Sequence, residues 1–478
     1  MKRIPFLSGM TILALIVSSC GGGSTSNTSN SGAATGSTAT PTSSSTCSLR
    51  SRQDFAFATL NEWYLFPETL PAALDPSPFS TVQAYLDALT ATARAQGRDR
   101  NFTFITSIAD ENAFFSSGSS AGFGIRLSLD AAGRRAFIAE AFEGAPALAA
   151  GIDRGDEIIA IGTTPTLLRS VSDIIAAEGT GGVSAALGPN TAGTTRTLRL
   201  SNAGVMRELT VSKADFTLTA LSTRYGAQII NDGGKRVGYL NLRTFISTAD
   251  PALRTSFANF RAQGITDFII DFRYNGGGLV STAELIGDLL GGARTTSDVF
   301  SNTVFRASKS TENSTRRFAP RAESVSPISI AFIATGATAS ASELVINSQI
   351  PYLGNRMALI GANTSGKPVG QIGIDRAACD DRIRVVAFAT RNAANSPDYF
   401  NGLASSIGNT CRAADDISRP LGDAQEASTR QALDFLAGRP CTPIAGGQAG
   451  KSNKPSGQAE LLMPETPSVS QREVPGSF

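Results

Sequence analysis

The stretch ISIAFIATGATASASELVINSQ, residues 328–349, reads as a strand, a bend and a helix in that order. The apolar run from Ile328 to Ile333 suits a buried strand. Thr335, Gly336, Ala337 and Thr338 are all small and leave room for a turn. A helical spacing then runs from Ser342 to Gln349. Ser340 falls at the junction, where helix N-terminal N–H groups can stabilise negative charge. The same residues also fit a plain helix start, because Ser is a favoured N-cap and Glu343 follows closely. Outward from this stretch the pattern repeats. Val237–Leu242, Phe268–Phe272 and Met357–Ile360 are further strand-like runs, and Thr282–Leu290 is a second helical run. Strand–helix alternation over residues 235–440 argues an α/β unit.

Two loops beside these strands carry chemistry-bearing residues. DFRYNGGG, residues 271–278, follows one strand run, and consecutive glycines there let backbone N–H groups face a ligand. That suits an oxyanion hole, although a tight turn would use the same glycines. GANTSGKP, residues 361–368, follows another strand run and is close to a phosphate-binding loop. Pro368 stands where that loop needs Ser or Thr for Mg²⁺, and Val369–Ile374 is not helical in pattern, so a nucleotide site is not expected. Read alone, the loop could simply carry a solvated lysine. The chain has no histidine, which removes Ser-His-Asp, Cys-His and His-metal sites. Lys367 is then the base available to Ser340, provided desolvation lowers its pKa from about 10.4.

The three segments together resemble the C-terminal processing (tail-specific) serine proteases, peptidase family S41. Thr338–Glu343 is similar to the family's nucleophile motif. Gly366-Lys367, with Gln371 four residues beyond the lysine, is similar to its base motif, and Asp271-x-Arg273-x-Asn275-x-Gly277 to its glycine signature. The resemblance implies Ser340 as nucleophile, Lys367 as base and Gln371 as the residue orienting it. It implies an oxyanion hole from Ala341 and one of Gly276 or Gly277. Gly276 departs from the usual Pro, Pro368 from the usual Gly, and Gly361-Ala362-Asn363-Thr364 from the usual Gly-Glu-Pro-Thr. The implied activity is a serine endopeptidase working at neutral to alkaline pH on proteins or peptides with exposed C-termini, with no metal, nucleotide or other cofactor. The same fold also occurs without proteolysis, as in retinoid-binding repeats of photoreceptor matrix protein. A non-proteolytic peptide- or ligand-binding envelope lipoprotein is therefore the alternative.

Upstream, residues 119–215 alternate short apolar runs with turn residues. Gly122-Phe123-Gly124-Ile125 opens one strand, Arg135–Ala141 is another, Gly144–Ile152 reads as a Pro-led short helix, and Glu157–Ile161 is a third strand. The segment Gly144–Ile161 resembles the G-x-P-A-x-x-A-G-I-x-x-G-D-x-I-x-x-I pattern of PDZ domains. Gly122-Phe123-Gly124-Ile125 resembles their carboxylate-binding loop. The resemblance implies that this loop holds a peptide C-terminus while the adjacent strand edge pairs with the peptide. Residues 47–118 read as a small helical domain with no chemistry of its own. The expected organisation is multidomain: a helical domain at 47–118, a PDZ-like β-rich domain at 119–215, an α/β S41 protease core at 216–441, and a disordered tail at 442–478.

The first residues read as a targeting segment, with Lys2 and Arg3 before an apolar run and Val17-Ser18-Ser19-Cys20 after it. The run is too short to span a bilayer. This resembles the bacterial lipobox, which implies a signal peptide at 1–19, a lipid-modified Cys20 and anchorage in a bilayer. Gly21 favours the outer membrane, facing the periplasm of a bacterial cell envelope. Residues 20–46 are nearly all small and polar and read as a flexible tether. Losing Lys2 and Arg3 takes the formal charge of +2 to zero, and no basic stripe points to nucleic acid. Cys47, Cys379, Cys411 and Cys441 suggest two disulfides in an oxidising compartment, with Cys379–Cys411 and Cys47–Cys441 the favoured pairing.

Overall fold

The apolar runs assemble into a sheet of order 227–232, 235–241, 267–271, 329–334, 357–361 and 410–412. The first two strands pair antiparallel and every later neighbour pairs parallel. Such a sheet is covered on both faces, so its strands alternate between two apolar cores. Phe268, Ile270, Ile330 and Phe332 pack into one core with Phe257, Ile286 and Val345 of three helices. Ile269, Ala331, Ile333 and Ile360 face the opposite core with Ala432 and Leu433 of helix Ala427–Leu436. The quoted stretch folds as the strand Ser329–Ala334 followed by the helix Ala341–Leu353. This computed structural model describes residues 46–396, 399–445 and 460–478. The expected signal peptide, Cys20 and nearly all of the tether lie outside those residues.

A second sheet joins the start of the chain to the region after Lys367. Phe104–Ser107 pairs with Asp381–Arg391, which also pairs with Val369–Arg376 and Val299–Phe305. The helices Leu49–Trp63 and Val82–Leu89 place Leu60, Tyr64, Leu86 and Leu89 against Val369, Ile383, Val385 and Val386. The helical region thus shares a core with the hairpin that follows Lys367. Residues 46–478 form one compact unit.

Residues 119–215 build a further sheet, with Ile125–Asp130, Arg135–Ala141, Glu157–Gly162, Thr195–Asn202 and Val205–Ser212 in that order. Helix Val171–Leu187 closes its core through Val171, Ile174 and Val183. The disulfides join Cys47 to Cys379 and Cys411 to Cys441, not Cys379 to Cys411 and Cys47 to Cys441. Cys379 sits in the turn between two hairpin strands that the Cys47 end of the first helix packs against. Cys411 lies on an edge strand of the parallel sheet, where Cys441 returns beside it after helix Ala427–Leu436. The tail also departs from disorder. Glu460–Leu461 pairs antiparallel with Ser128 and Leu129, Val469–Glu473 is helical, and Val474 to Phe478 are buried. The apolar residues Leu462, Val469, Val474 and Phe478 bury in the two neighbouring cores, a contribution that a Pro-, Ser- and Gly-rich composition masks.

Candidate active site

Three adjacent parallel strands each release a loop at the same end of the sheet. Asp267–Asp271 leads to the glycine loop, Ser329–Ala334 to Ser340, and Met357–Gly361 to Lys367. The carboxyl end of a parallel sheet is where open α/β folds place their ligands. Ser340 caps the helix with φ +53° and ψ −114°, a conformation that L residues adopt at a cost of about 1–3 kcal/mol. It is held there by its neighbours. The Ser340 N–H donates to Glu343 Oε2 at 3.1 Å. The same oxygen accepts the Lys367 N–H at 2.8 Å, and Glu343 Oε1 accepts the Gly366 N–H at 2.7 Å. One buried carboxylate therefore ties the serine turn to the lysine loop. Burial pushes the Glu343 carboxyl up, against these hydrogen bonds and one from Thr364.

Asn275 ties the serine turn to the glycine loop. Its carbonyl accepts the Ala339 N–H at 3.0 Å and the Ser342 hydroxyl at 3.2 Å. Its side-chain oxygen accepts the Gly277 N–H at 2.9 Å, and its amide donates to Leu242 O at 2.8 Å. Gly277 lies so close to the serine that a Cβ on it would stand 2.8 Å from Ser340 Cβ and 3.2 Å from Ala341 N. Of the expected hole residues, Gly277 lies against Ser340 and Ala341, with its N–H already given to Asn275, whereas the Gly276 N–H faces Glu473 O at 3.0 Å. Beneath them Arg273 is fully buried, paired to Asp271 at 2.9 Å and to Glu426 at 2.8 Å. Burial alone would raise the Glu426 carboxyl, but the Arg273 guanidinium outweighs it and holds the group at about 2.

Lys367 Nζ donates to Gln371 Oε1 at 2.8 Å, and Gln371 Nε2 donates to Phe102 O. The Phe102 ring lies 5.0 Å from the ammonium. Arg100 Nη2 donates to the carbonyls of Ser365 and Gly366, both at 2.6 Å. Burial holds the Lys367 ammonium below its ordinary 10.5; the Glu473 carboxylate opposes this and Arg472 reinforces it. Among the described residues no hydrogen bond joins Ser340 Oγ to Lys367 Nζ. The region read as lacking chemistry, residues 47–118, therefore supplies Phe102 and Arg100 to the lysine loop. No sequence spacing links those residues to position 367, because the pairing of Phe104–Ser107 with Asp381–Arg391 brings them there.

Residues 236–392 match the family model described as Peptidase family S41, and residues 51–104 match that of the Peptidase S41 N-terminal domain. The chain carries S41 peptidase domains. A curated relative, the chloroplastic C-terminal processing peptidase of Tetradesmus obliquus, is 29% identical over 180 residues. That alignment spans 36% of this chain and 38% of the relative's length. A crystal structure of a Bacteroides fragilis NCTC 9343 chain named as an S41 protease shares the fold, with TM-score 0.63 and 22% identity. The match covers 80% of this chain and 97% of that one. A photosystem II D1 C-terminal processing protease structure matches at TM-score 0.45 and 18% identity, over 76% of this chain and 93% of that one.

The S41 domain is joined to the 119–215 region through buried charge. Glu140 accepts from Arg243 Nε at 2.6 Å, from Arg126 Nε at 3.2 Å and from the Tyr225 hydroxyl at 2.8 Å. Burial would raise the Glu140 carboxyl, but Arg243 and Arg126 overcome it and hold the group at about 2. Arg126 also donates to the Tyr274 carbonyl of the glycine loop at 2.8 Å. The expected peptide-binding residues lie on the adjacent edge. The N–H groups of Gly124 and Ile125 donate to Phe478 O at 2.9 and 3.2 Å, and Phe123 is buried behind them. A Cβ on Gly122 would stand 2.7 Å from the Phe478 carbonyl carbon, so a side chain there would shut this seat.

Proposed function

We propose that this S41 peptidase is a serine endopeptidase in which Ser340 and Lys367 do the chemistry. The observation that carries the reading is the shared Glu343 oxygen, which fixes the Ser340 and Lys367 backbones to one point while Gln371 holds the lysine head. Neutral Lys367 takes the Ser340 proton as Oγ attacks the scissile carbonyl. The N–H of Ala341 and one of Gly276 or Gly277 hold the oxyanion; Gly276 is the better placed donor once Glu473 O leaves it, since the Gly277 N–H is given to Asn275. The C–N bond breaks as the leaving amine takes the proton back from Lys367. Water, deprotonated by the same lysine, then attacks the acyl carbon and releases Ser340. Depression of the Lys367 pKa by burial supports its role, because the neutral amine is the working form. The region 119–215 acts as a PDZ-like reader, with Gly122, Phe123, Gly124 and Ile125 taking a substrate's C-terminus by strand addition.

The sequence pattern at Cys20 supports a lipid-anchored protein of the bacterial cell envelope, in the outer membrane and facing the periplasm, acting on exported proteins. Among the described residues no helix is long and apolar enough to cross a membrane. The test is casein cleavage by the parent beside Ser340→Ala and Lys367→Ala. Cleavage by the parent alone supports the proposal. Cleavage that survives in Ser340→Ala refutes the nucleophile assignment. Peptide binding with no cleavage by any of the three favours the binding lipoprotein.

A further inference from the structure

Residues 469–478 make contacts with the site that resemble those of an incoming peptide. At one end Gly476 O and the Phe478 N–H and O pair with Leu127 N, Ile125 O and the N–H groups of Gly124 and Ile125, each between 2.9 and 3.2 Å. The segment is thereby an extra antiparallel strand on the edge of Ile125–Asp130, with Ser477 opposite Arg126. The Phe478 side chain is buried in the same apolar core as Phe123, Ile125 and Val183. Midway, Arg126 Nη1 donates to Pro475 O at 2.8 Å. At the other end the Gly276 N–H donates to Glu473 O at 3.0 Å. A Cβ on Gly276 would stand 2.3 Å from Arg472 O, so the glycine loop admits the segment only because residue 276 is glycine. The Glu473 carboxylate acts on the Lys367 ammonium, and Arg472 Nη1 reaches Asn101 O at 3.1 Å beside the lysine's Phe102 support.

We propose that residues 469–478 are an in-cis occupant of the substrate channel, seated at once on the peptide-reading edge and on the glycine loop, which an incoming substrate must displace. The proposal rests on the peptidase reading for its consequence, but not for the occupancy itself. The segment is held as an inhibitor and not as a substrate. Val469–Glu473 is helical up to the residue whose carbonyl meets Gly276, whereas a scissile peptide needs an extended chain there. A tethered segment competes at an effective concentration on the order of millimolar, so a free peptide of the same sequence cannot displace it at micromolar concentration.

The experiment uses the full chain and its Phe478→Asp variant, which places a charge in the apolar seat and touches none of the proposed catalytic groups. The probe is a fluorescent peptide of residues 469–478 with a free carboxylate, read by anisotropy, with casein cleavage in parallel. The expected result is binding to the variant at least tenfold tighter than to the parent, and casein cleavage raised at least tenfold. Equal peptide binding by parent and variant would overturn the proposal. Tighter peptide binding by the variant with no cleavage by either protein would uphold the occupancy and sink the peptidase reading instead. Should Phe478→Asp fail to fold, hydrogen exchange of the parent decides. Slow exchange at Gly124, Ile125 and Gly276 is expected, and exchange at the rate of open loops would overturn it. Loss of residues 474–478 from the mass of the parent, but not from that of Ser340→Ala, would show that the segment is consumed as substrate, which also contradicts the proposal.

Discussion

Glu343→Gln tests how the site is held together. In the parent one oxygen accepts two N–H groups, from Ser340 and Lys367, and the other accepts the Gly366 N–H. A glutamine keeps the volume but replaces one acceptor with an NH₂ donor. Whichever way the amide turns, at least one backbone N–H then faces a donor. With the amide oxygen toward Ser340 and Lys367, Gly366 is orphaned; turned over, both of the others are. A buried N–H left without a partner costs about 1–3 kcal/mol. The larger effect falls on geometry, since a shift near 1 Å between reacting groups costs about 100-fold in rate. The assay is steady-state cleavage of a fluorogenic peptide beside urea unfolding. The expected outcome is kcat lowered about 100-fold, KM little changed, and stability lowered by about 2 kcal/mol. Unchanged kcat with the full stability loss would refute the reasoning, and would leave Glu343 as a helix cap alone.

The depressed Lys367 pKa sets the sign of the pH profile. Activity depends on the neutral amine, so kcat/KM rises with pH and levels above a midpoint below 10.5; a fall in kcat/KM between pH 6 and 8 would contradict it. Gly277→Ala adds a Cβ 2.8 Å from Ser340 Cβ at a φ of +123°, and peptide cleavage should drop about 100-fold. Glu140, held at about 2 against an ordinary 4.5, contributes about 3 kcal/mol that is present above pH 4.5 and lost as pH falls through about 2. In urea unfolding, the gap between the parent and Glu140→Gln should therefore close on acidification over that window, and a gap that persists at pH 2 would refute the pairing.

The strands and helices around Ser340 were legible because each carries its own periodicity and small-residue turns. Arg135–Ala141 appears with the expected bounds, and the helix expected over Ser342–Gln349 runs from Ala341 to Leu353. The order of Ser340, Lys367 and the glycine loop was legible as motif order, since three neighbouring parallel strands release their loops at one end of the sheet, while Gln371 reaches the lysine from the strand Val369–Arg376 of the other sheet. What the sequence hid depends on long-range pairing. Phe102 and Arg100 reach the lysine loop only through the pairing of strands some 280 positions apart in the chain, Phe104 with Arg384. The part played by Glu343 was concealed because a helix-capping Glu has the same local signature whether it serves one loop or two. The disulfide partners could not be read from spacing, since four cysteines allow three pairings and only the fold chooses. The tail was misread because its Pro, Ser and Gly residues dominate the count, while Leu462, Val469, Val474 and Phe478 decide where it packs.

The most direct measurement is to trap the acyl-enzyme. The full chain is mixed with a peptide ester, quenched in acid within one turnover and digested, and the fragments are weighed. The acyl adduct is expected on the fragment bearing Ser340 in the parent, and none in Ser340→Ala or Lys367→Ala. An adduct on another residue, or cleavage that proceeds in Ser340→Ala, would contradict it.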